Sequence, residues 1–140
     1  MAQERIVPSG SFDGYRIVKN IPIISIVDDD EAVREATKTL VRAVGYSAST
    51  FGSAEEFLKS KQFSNTSCLI TDLQMPGLSG LDLQAQLIAD GHRIPTIFVT
   101  AFPDNTARTS AMNAGAIAFL SKPYKVDDLL GYLEKALQAA

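Results

Sequence analysis

The 140-residue chain is 46% hydrophobic and 21% charged, with a net charge of −3, which suits one globular domain that buries roughly two thirds of its unfolded surface. Its 13 Lys and Arg residues are scattered and form no basic stripe, which disfavours direct nucleic-acid binding by this chain. No apolar run approaches the roughly 20 residues of a membrane span, and the start lacks the charged-then-apolar plan of a secretory signal, so the expected compartment is the cytoplasm.

Residues 1–21 mix Pro8, Gly10 and Gly14 with isolated apolar pairs and hold no sustained period, so they read as a flexible arm, either a linker or an extra edge strand. The domain proper is expected over 22–140. Its first apolar run, 23–27, leads straight into Asp28, Asp29, Asp30 and Glu31. Two like charges about 4 Å apart repel by on the order of 4 kcal/mol at an effective dielectric of 20. A folded chain must therefore meet this cluster with solvent, a cation or raised pKa values. Asp30 stands where an N-cap belongs, directly before a helix whose face carries Val33, Thr37, Leu40, Val41 and Val44 and whose stop is Gly45.

A second strand is expected at 46–51, and "SAEE" at 53–56 reads as a capping box that opens the second helix. The third strand, 68–71, begins at Cys68, the single cysteine, which excludes an internal disulfide or a cysteine metal cluster and suits a buried strand position. Asp72 follows it. "QMPGLSG" is a Pro-Gly loop ahead of the third helix and places Gln74 beside that aspartate. His92 falls in a turn and reads as solvated. The fourth strand, 95–99, ends at Thr100. The fourth helix, about 104–113, has only Ala107, Ala111 and Met112 for its apolar side, so weak packing is expected. The fifth strand, 117–120, contains Phe119 and precedes Lys122. The last helix, 126–137, carries a stripe of Val126, Leu129, Leu130, Leu133 and Leu137.

Five strands alternating with five helices imply a parallel sheet covered on both faces. In such a sheet the ligand site lies beyond the carboxyl ends of the strands. Asp28 and Asp29, Asp72, Thr100 and Lys122 all fall there and should converge at one edge. Each has an ordinary alternative: a solvated acid, a turn-forming threonine, an exposed lysine before proline. Together, in this order, they form a kit for phosphoryl chemistry on a carboxylate, with a hard oxygen-seeking cation such as Mg²⁺ holding the acids together.

"VDDD" at 27–30, "TDLQMPGLSGLDL" at 71–83, "PTIFVTA" at 95–101 and "AGAIAFLSKP" at 114–123 jointly resemble the receiver domains of two-component response regulators. The resemblance spans 22–140, and "VDDD", "SAEEFL" and "LSKP" are most similar to receivers of the nitrogen-fixation and LuxR-type regulators. It implies a flavodoxin-like, doubly wound (βα)5 fold of the α/β class with a five-stranded parallel sheet in the order 2-1-3-4-5. By the same resemblance Asp72 is the phosphoacceptor, supplied by a histidine kinase. Mg²⁺ is held by Asp28, Asp29, Asp72 and the backbone carbonyl of Gln74. Lys122 pairs with the phosphoryl oxygens, and its peptide bond to Pro123 is cis. Thr100 hydrogen-bonds the phosphoryl group, and Phe119, on composition alone a core residue, is the switch that follows it. Gln74 and Phe102 occupy positions that modulate the lifetime of the aspartyl phosphate. The family further implies a homodimer through helix 4, strand 5 and helix 5 on phosphorylation. The chain ends where its last helix should finish, so it is expected to be either a stand-alone receiver or one cut from a longer regulator whose DNA-binding half makes transcription the output. The chain is then a switch, not an enzyme beyond its own phosphorylation and dephosphorylation.

A phosphatase or phosphotransferase of the haloacid-dehalogenase type uses a similar kit, but usually with a second acid two residues after the nucleophile, where this chain has Gln74. A flavodoxin-like FMN binder would need a phosphate loop after the first strand, where three aspartates repel phosphate.

Overall fold

The computed structural model describes residues 4–8, 15–19 and 21–138. Two short strands, β1 (Glu4–Pro8) and β2 (Tyr15–Lys19), pair antiparallel with each other in a sheet of their own. Neither extends the main sheet, which overturns the edge-strand reading of the arm. The remainder of the arm expected over 1–21, apart from Ile21, lies outside the described residues, and so does its expected flexibility.

From Ile23 the chain alternates as its periodicity requires: β3 (Ile23–Val27), α1 (Glu31–Ala43), β4 (Ser47–Phe51), α2 (Ala54–Ser60), β5 (Cys68–Asp72), α3 (Gly80–Ala89), β6 (Thr96–Thr100), α4 (Asn105–Asn113), β7 (Ala118–Ser121) and α5 (Val126–Gln138). The five parallel strands lie in the order β4-β3-β5-β6-β7, the expected 2-1-3-4-5. Strand ends differ from the sequence reading by about one residue, which is the ordinary fraying of element boundaries. The shift has one useful consequence. Asp72, Thr100 and Ser121 end their strands, so the side chains at the sheet edge are held by ladder hydrogen bonds instead of hanging on loops.

Strand residues alternate between two apolar layers, as a period of 2 demands. Ile24, Ile26, Cys68, Ile70, Ile97 and Val99 pack with Val41 of α1 and Leu129, Leu133 and Ala136 of α5. Val27 and Leu69 face the other way, onto Phe57 of α2 and Leu83 and Leu87 of α3, while Phe98 and Phe119 pack with Ala107 and Ala111 of α4. The α4 layer has only alanine methyl groups from its helix, so it buries less apolar area per turn than α5 does with leucines. No helix among the described residues is long and apolar enough to cross a membrane.

The helix ends follow local chemistry. Asp30 caps α1 by accepting from the N–H groups of Ala32 and Val33, at 2.9 and 3.3 Å. Gly45, at φ +99°, ends the same helix in the left-handed region that only glycine enters without cost. The apolar faces expected for the helices need three corrections. Val44, the C-cap of α1, and Val126, the first residue of α5, are 44% and 48% exposed, and Met112 near the end of α4 is 40% exposed. The capping box at 53–56 is also only half formed. Ser53 accepts from Glu56 N–H, but the Glu56 carboxylate reaches one residue further back, to Gly52 N–H at 2.9 Å. The complete box is at Ser79 and Asp82, opening α3.

Cys68 is fully buried at the start of β5, and burial pushes its thiol up to about 12. Its neutral form therefore favours the fold at any pH below the ordinary value of 9.0, and that contribution fades as pH rises toward 12. A thiol reagent such as Ellman's should label Cys68 in denaturant but not in the native protein at pH 8. Rapid native labelling would contradict this burial.

Candidate functional site

Parallel register brings the strand ends side by side, with Val27 paired to Thr71, Asp72 to Val99 and Thr100 to Ser121. Asp28, Asp72, Thr100 and Lys122 consequently cross the sheet edge in one row, in an open cleft of about 280 Å³. A second hollow, of about 210 Å³, lies among the C-terminal ends of α3 and α4 and the start of β6, remote from these acids.

Asp28 is 4% exposed and held from several directions. Its N–H donates to the Phe51 carbonyl at 3.1 Å, and its Oδ1 accepts from Asp30 N–H at 2.9 Å. Its Oδ2 accepts from Lys122 Nζ at 3.0 Å, a contact that spans two intervening strands and 94 residues of sequence. Lys122 also lies 3.5 Å from Asp72 Oδ2, so one ammonium is shared by two carboxylates. Asp72 Oδ1 accepts from Gln74 N–H at 3.3 Å. Thr100 is fully buried, and its Oγ1 accepts from Phe102 N–H at 3.1 Å. The Lys122–Pro123 bond is cis.

Burial raises the Asp72 carboxyl above its ordinary value; Lys122 pulls it back, Asp28 pushes the same way as burial, and the N–H groups of Gln74 and Leu73 oppose both. Burial lowers Lys122, but the hydrogen bond and charge of Asp28, followed by those of Asp72, outweigh it and leave the ammonium raised. One lysine against three acids leaves the edge short of positive charge.

A hard cation fits the donors that remain. One oxygen each from Asp28, Asp29 and Asp72 lies within 4.8 Å of the others. Octahedral Mg²⁺, with oxygens at about 2.1 Å, places opposite ligands roughly 4 Å apart. Asp29 is the exposed member of the three, and an all-oxygen set is the chemistry this ion selects.

The edge thus gathers every residue expected there: Asp28, Asp29, Asp72, Gln74, Thr100 and Lys122 all line the one cleft. Asp30 borders it too, but spends Oδ1 on its cap. Phe119 does not reach the cleft. It is 5% exposed beneath α4, 6.2 Å from the Phe98 ring and capped by the Arg108 guanidinium at 6.0 Å. Phe102, by contrast, is 69% exposed at the cleft mouth. His92, read as solvated, is half-buried with its ring tilted 45° against Phe63 at 4.4 Å between centroids, far from the acids. Sequence reading missed Arg34, whose Nη1 donates to the Asp28 carbonyl at 2.7 Å. A signal existed, since a cation one turn into a helix opposes the macrodipole and calls for a separate reason.

Comparison with known proteins identifies the family. A family model described as the response regulator receiver domain matches residues 24–134. The chain is 44% identical over 118 residues to the response regulator protein TodT of Pseudomonas putida, covering 84% of this chain and 52% of TodT. It is 32% identical over 117 residues to the transcriptional regulatory protein FixJ of Bradyrhizobium diazoefficiens, covering 84% and 57%. Among solved structures, the response regulator StyR superposes with a TM-score of 0.80 at 42% identity, over 86% of this chain and 61% of that one. The chain therefore spans about half the length of the curated relatives it matches.

Proposed function

Because this chain belongs to the receiver domains of two-component response regulators, we propose that Asp72 is its phosphoacceptor and that phosphorylation of this residue sets the state of the α4 side of the domain. The observation that carries the reading is the row of Asp28, Asp72, Thr100 and Lys122 across one sheet edge, with a lysine already bridging two acids. The donor is a histidine kinase, or a small acyl phosphate in its place. The haloacid-dehalogenase alternative gains no support from the relatives, and Gln74 stands where that chemistry wants an acid.

Asp28, Asp29, Asp72 and the Gln74 carbonyl would hold Mg²⁺, which supplies positive charge against the phosphoryl oxygens as transfer proceeds. Asp72 attacks phosphorus through its carboxylate, and the bond to the leaving group breaks as the new O–P bond forms. Lys122 follows the charge: its ammonium leaves the Asp72 carboxylate for the phosphoryl oxygens while staying within reach of Asp28. The Thr100 hydroxyl donates its hydrogen to the new group. Since Oγ1 also accepts from Phe102 N–H, its movement tows the 101–104 loop inward. The ring of Phe119 then turns toward the space that the loop leaves, and α4, held by alanines, yields at little cost. Gln74 and Phe102 flank the cleft mouth and govern how readily water reaches the acyl phosphate.

Output is a changed surface, by this reading a dimer through α4, β7 and α5, and by the name of FixJ a transcriptional one, in the cytoplasm. Intact-mass measurement after incubation with acetyl phosphate, with and without Mg²⁺, tests the first step, and sedimentation of the same samples tests the last. One phosphoryl group gained only with Mg²⁺ is the expected result. Uptake that ignores Mg²⁺, or no uptake together with no spectral response to beryllofluoride, would sink the reading.

A further inference from the structure

We propose that Arg34 is a positioning residue that sets the cation affinity of the acid cluster by fixing the peptide between Asp28 and Asp29; this rests on the Mg²⁺-dependent reading above. Arg34 is half-buried on α1, and its Nη1 meets the Asp28 carbonyl at 2.7 Å. The other polar groups of Asp28 are already engaged: N–H by Phe51, Oδ1 by Asp30 N–H and Oδ2 by Lys122. The carbonyl is the remaining one, and it belongs to the peptide plane that carries Asp29.

Asp29 is the exposed member of the cluster, and among the described residues its carboxylate takes no hydrogen bond. Its aim therefore depends on the backbone that presents it. A guanidinium locked on the preceding carbonyl keeps that backbone from rotating, so Asp29 begins near the other two oxygens and the ordering cost on cation binding falls. The planar fork of arginine is rigid, whereas a lysine ammonium on a flexible stem fixes no plane.

A bland role for Arg34 makes the opposite prediction. As a mere positive charge near three acids it would repel Mg²⁺, so its neutralisation would tighten binding and a lysine in its place would change nothing. Calorimetric titration of the full chain with MgCl₂ separates the two, using wild type, Arg34→Gln and Arg34→Lys at a temperature where thermal melts place all three in the folded state. Both variants are expected to bind Mg²⁺ about tenfold more weakly than wild type, the usual scale for losing a group that orients a ligand. Either variant binding as tightly as wild type overturns the proposal, including the case in which it melts earlier, since that would make Arg34 a structural residue only. Absence of Mg²⁺ binding by wild type instead overturns the reading beneath it.

Discussion

Asp72→Ala should take up no phosphoryl group from acetyl phosphate in the presence of Mg²⁺, under conditions in which the wild-type chain gains one. The loss is expected to be complete because no other carboxylate at the edge occupies the strand-end position of Asp72. Asp28 is fixed by Lys122 and Asp30, and Asp29 lies on the loop rather than on a strand end. The same substitution should leave the metal-free protein at least as stable as wild type. Burial is the largest influence on Asp72 and raises its carboxyl, with Asp28 acting in the same direction. An acid raised on folding contributes stability below its ordinary value of 3.8 and loses it as pH climbs through the folded value. At neutral pH without Mg²⁺ the ionised Asp72 thus opposes folding. Intact mass and peptide mapping read the first effect, and urea melts at pH 7 the second. Phosphoryl uptake persisting in Asp72→Ala would assign the nucleophile elsewhere, and a marked loss of stability would mean that the Lys122 contact outweighs desolvation. A site kept at a cost in stability is what a switch that must bind charge requires.

The row of site residues was legible in the sequence for a plain reason. Parallel strands put their carboxyl ends on one edge, so Asp28, Asp72, Thr100 and Lys122, each ending or following an apolar run, had to meet there. Which of them would touch was not legible. Lys122 reaches Asp28 across 94 residues because its side chain is long and Asp72 stands between them, facts of register and rotamer that no local pattern encodes. Arg34 escaped for a related reason. It sits six residues from the carbonyl it serves, yet a backbone acceptor leaves no mark in a sequence. The apolar helix faces failed at Val44, Met112 and Val126, which are exposed although periodicity turns them inward. Capping was misplaced likewise: "SAEE" has the right letters, but the Glu56 carboxylate serves Gly52, while the full box joins Ser79, within the segment read as loop, to Asp82 in the helix after it.

Gly80→Ala should damage the site from outside it. Gly80 opens α3, is buried, and donates its N–H to the Leu73 carbonyl at 2.8 Å, so the helix start is pressed against the chain carrying Asp72. A Cβ there would overlap the Asp72 carbonyl oxygen and lie 3.1 Å from Cε1 of Phe98, a ring that is itself fully buried. Neither neighbour can step aside: one is ladder backbone between β3 and β6, the other the centre of the α4 layer. Overpacking of this kind costs about 1–3 kcal/mol. The strain should also displace Asp72 from Lys122 and Asp28, and a misplacement of about 1 Å at a reacting group costs on the order of 100-fold in rate. The expected result is a folded protein with a lowered melting temperature and phosphoryl uptake slowed by roughly 10- to 100-fold. Gly131→Ala is the matched control, since Gly131 lies exposed within α5 with nothing within 4 Å of its would-be Cβ. That change should stabilise the helix by about 1 kcal/mol and leave uptake alone. Equal behaviour of the two variants would show that α3 does not bear on the phosphoacceptor. A Gly80→Ala protein that melts earlier but reacts at the wild-type rate would show that the strain is absorbed by α3 and Phe98, leaving Asp72 in place.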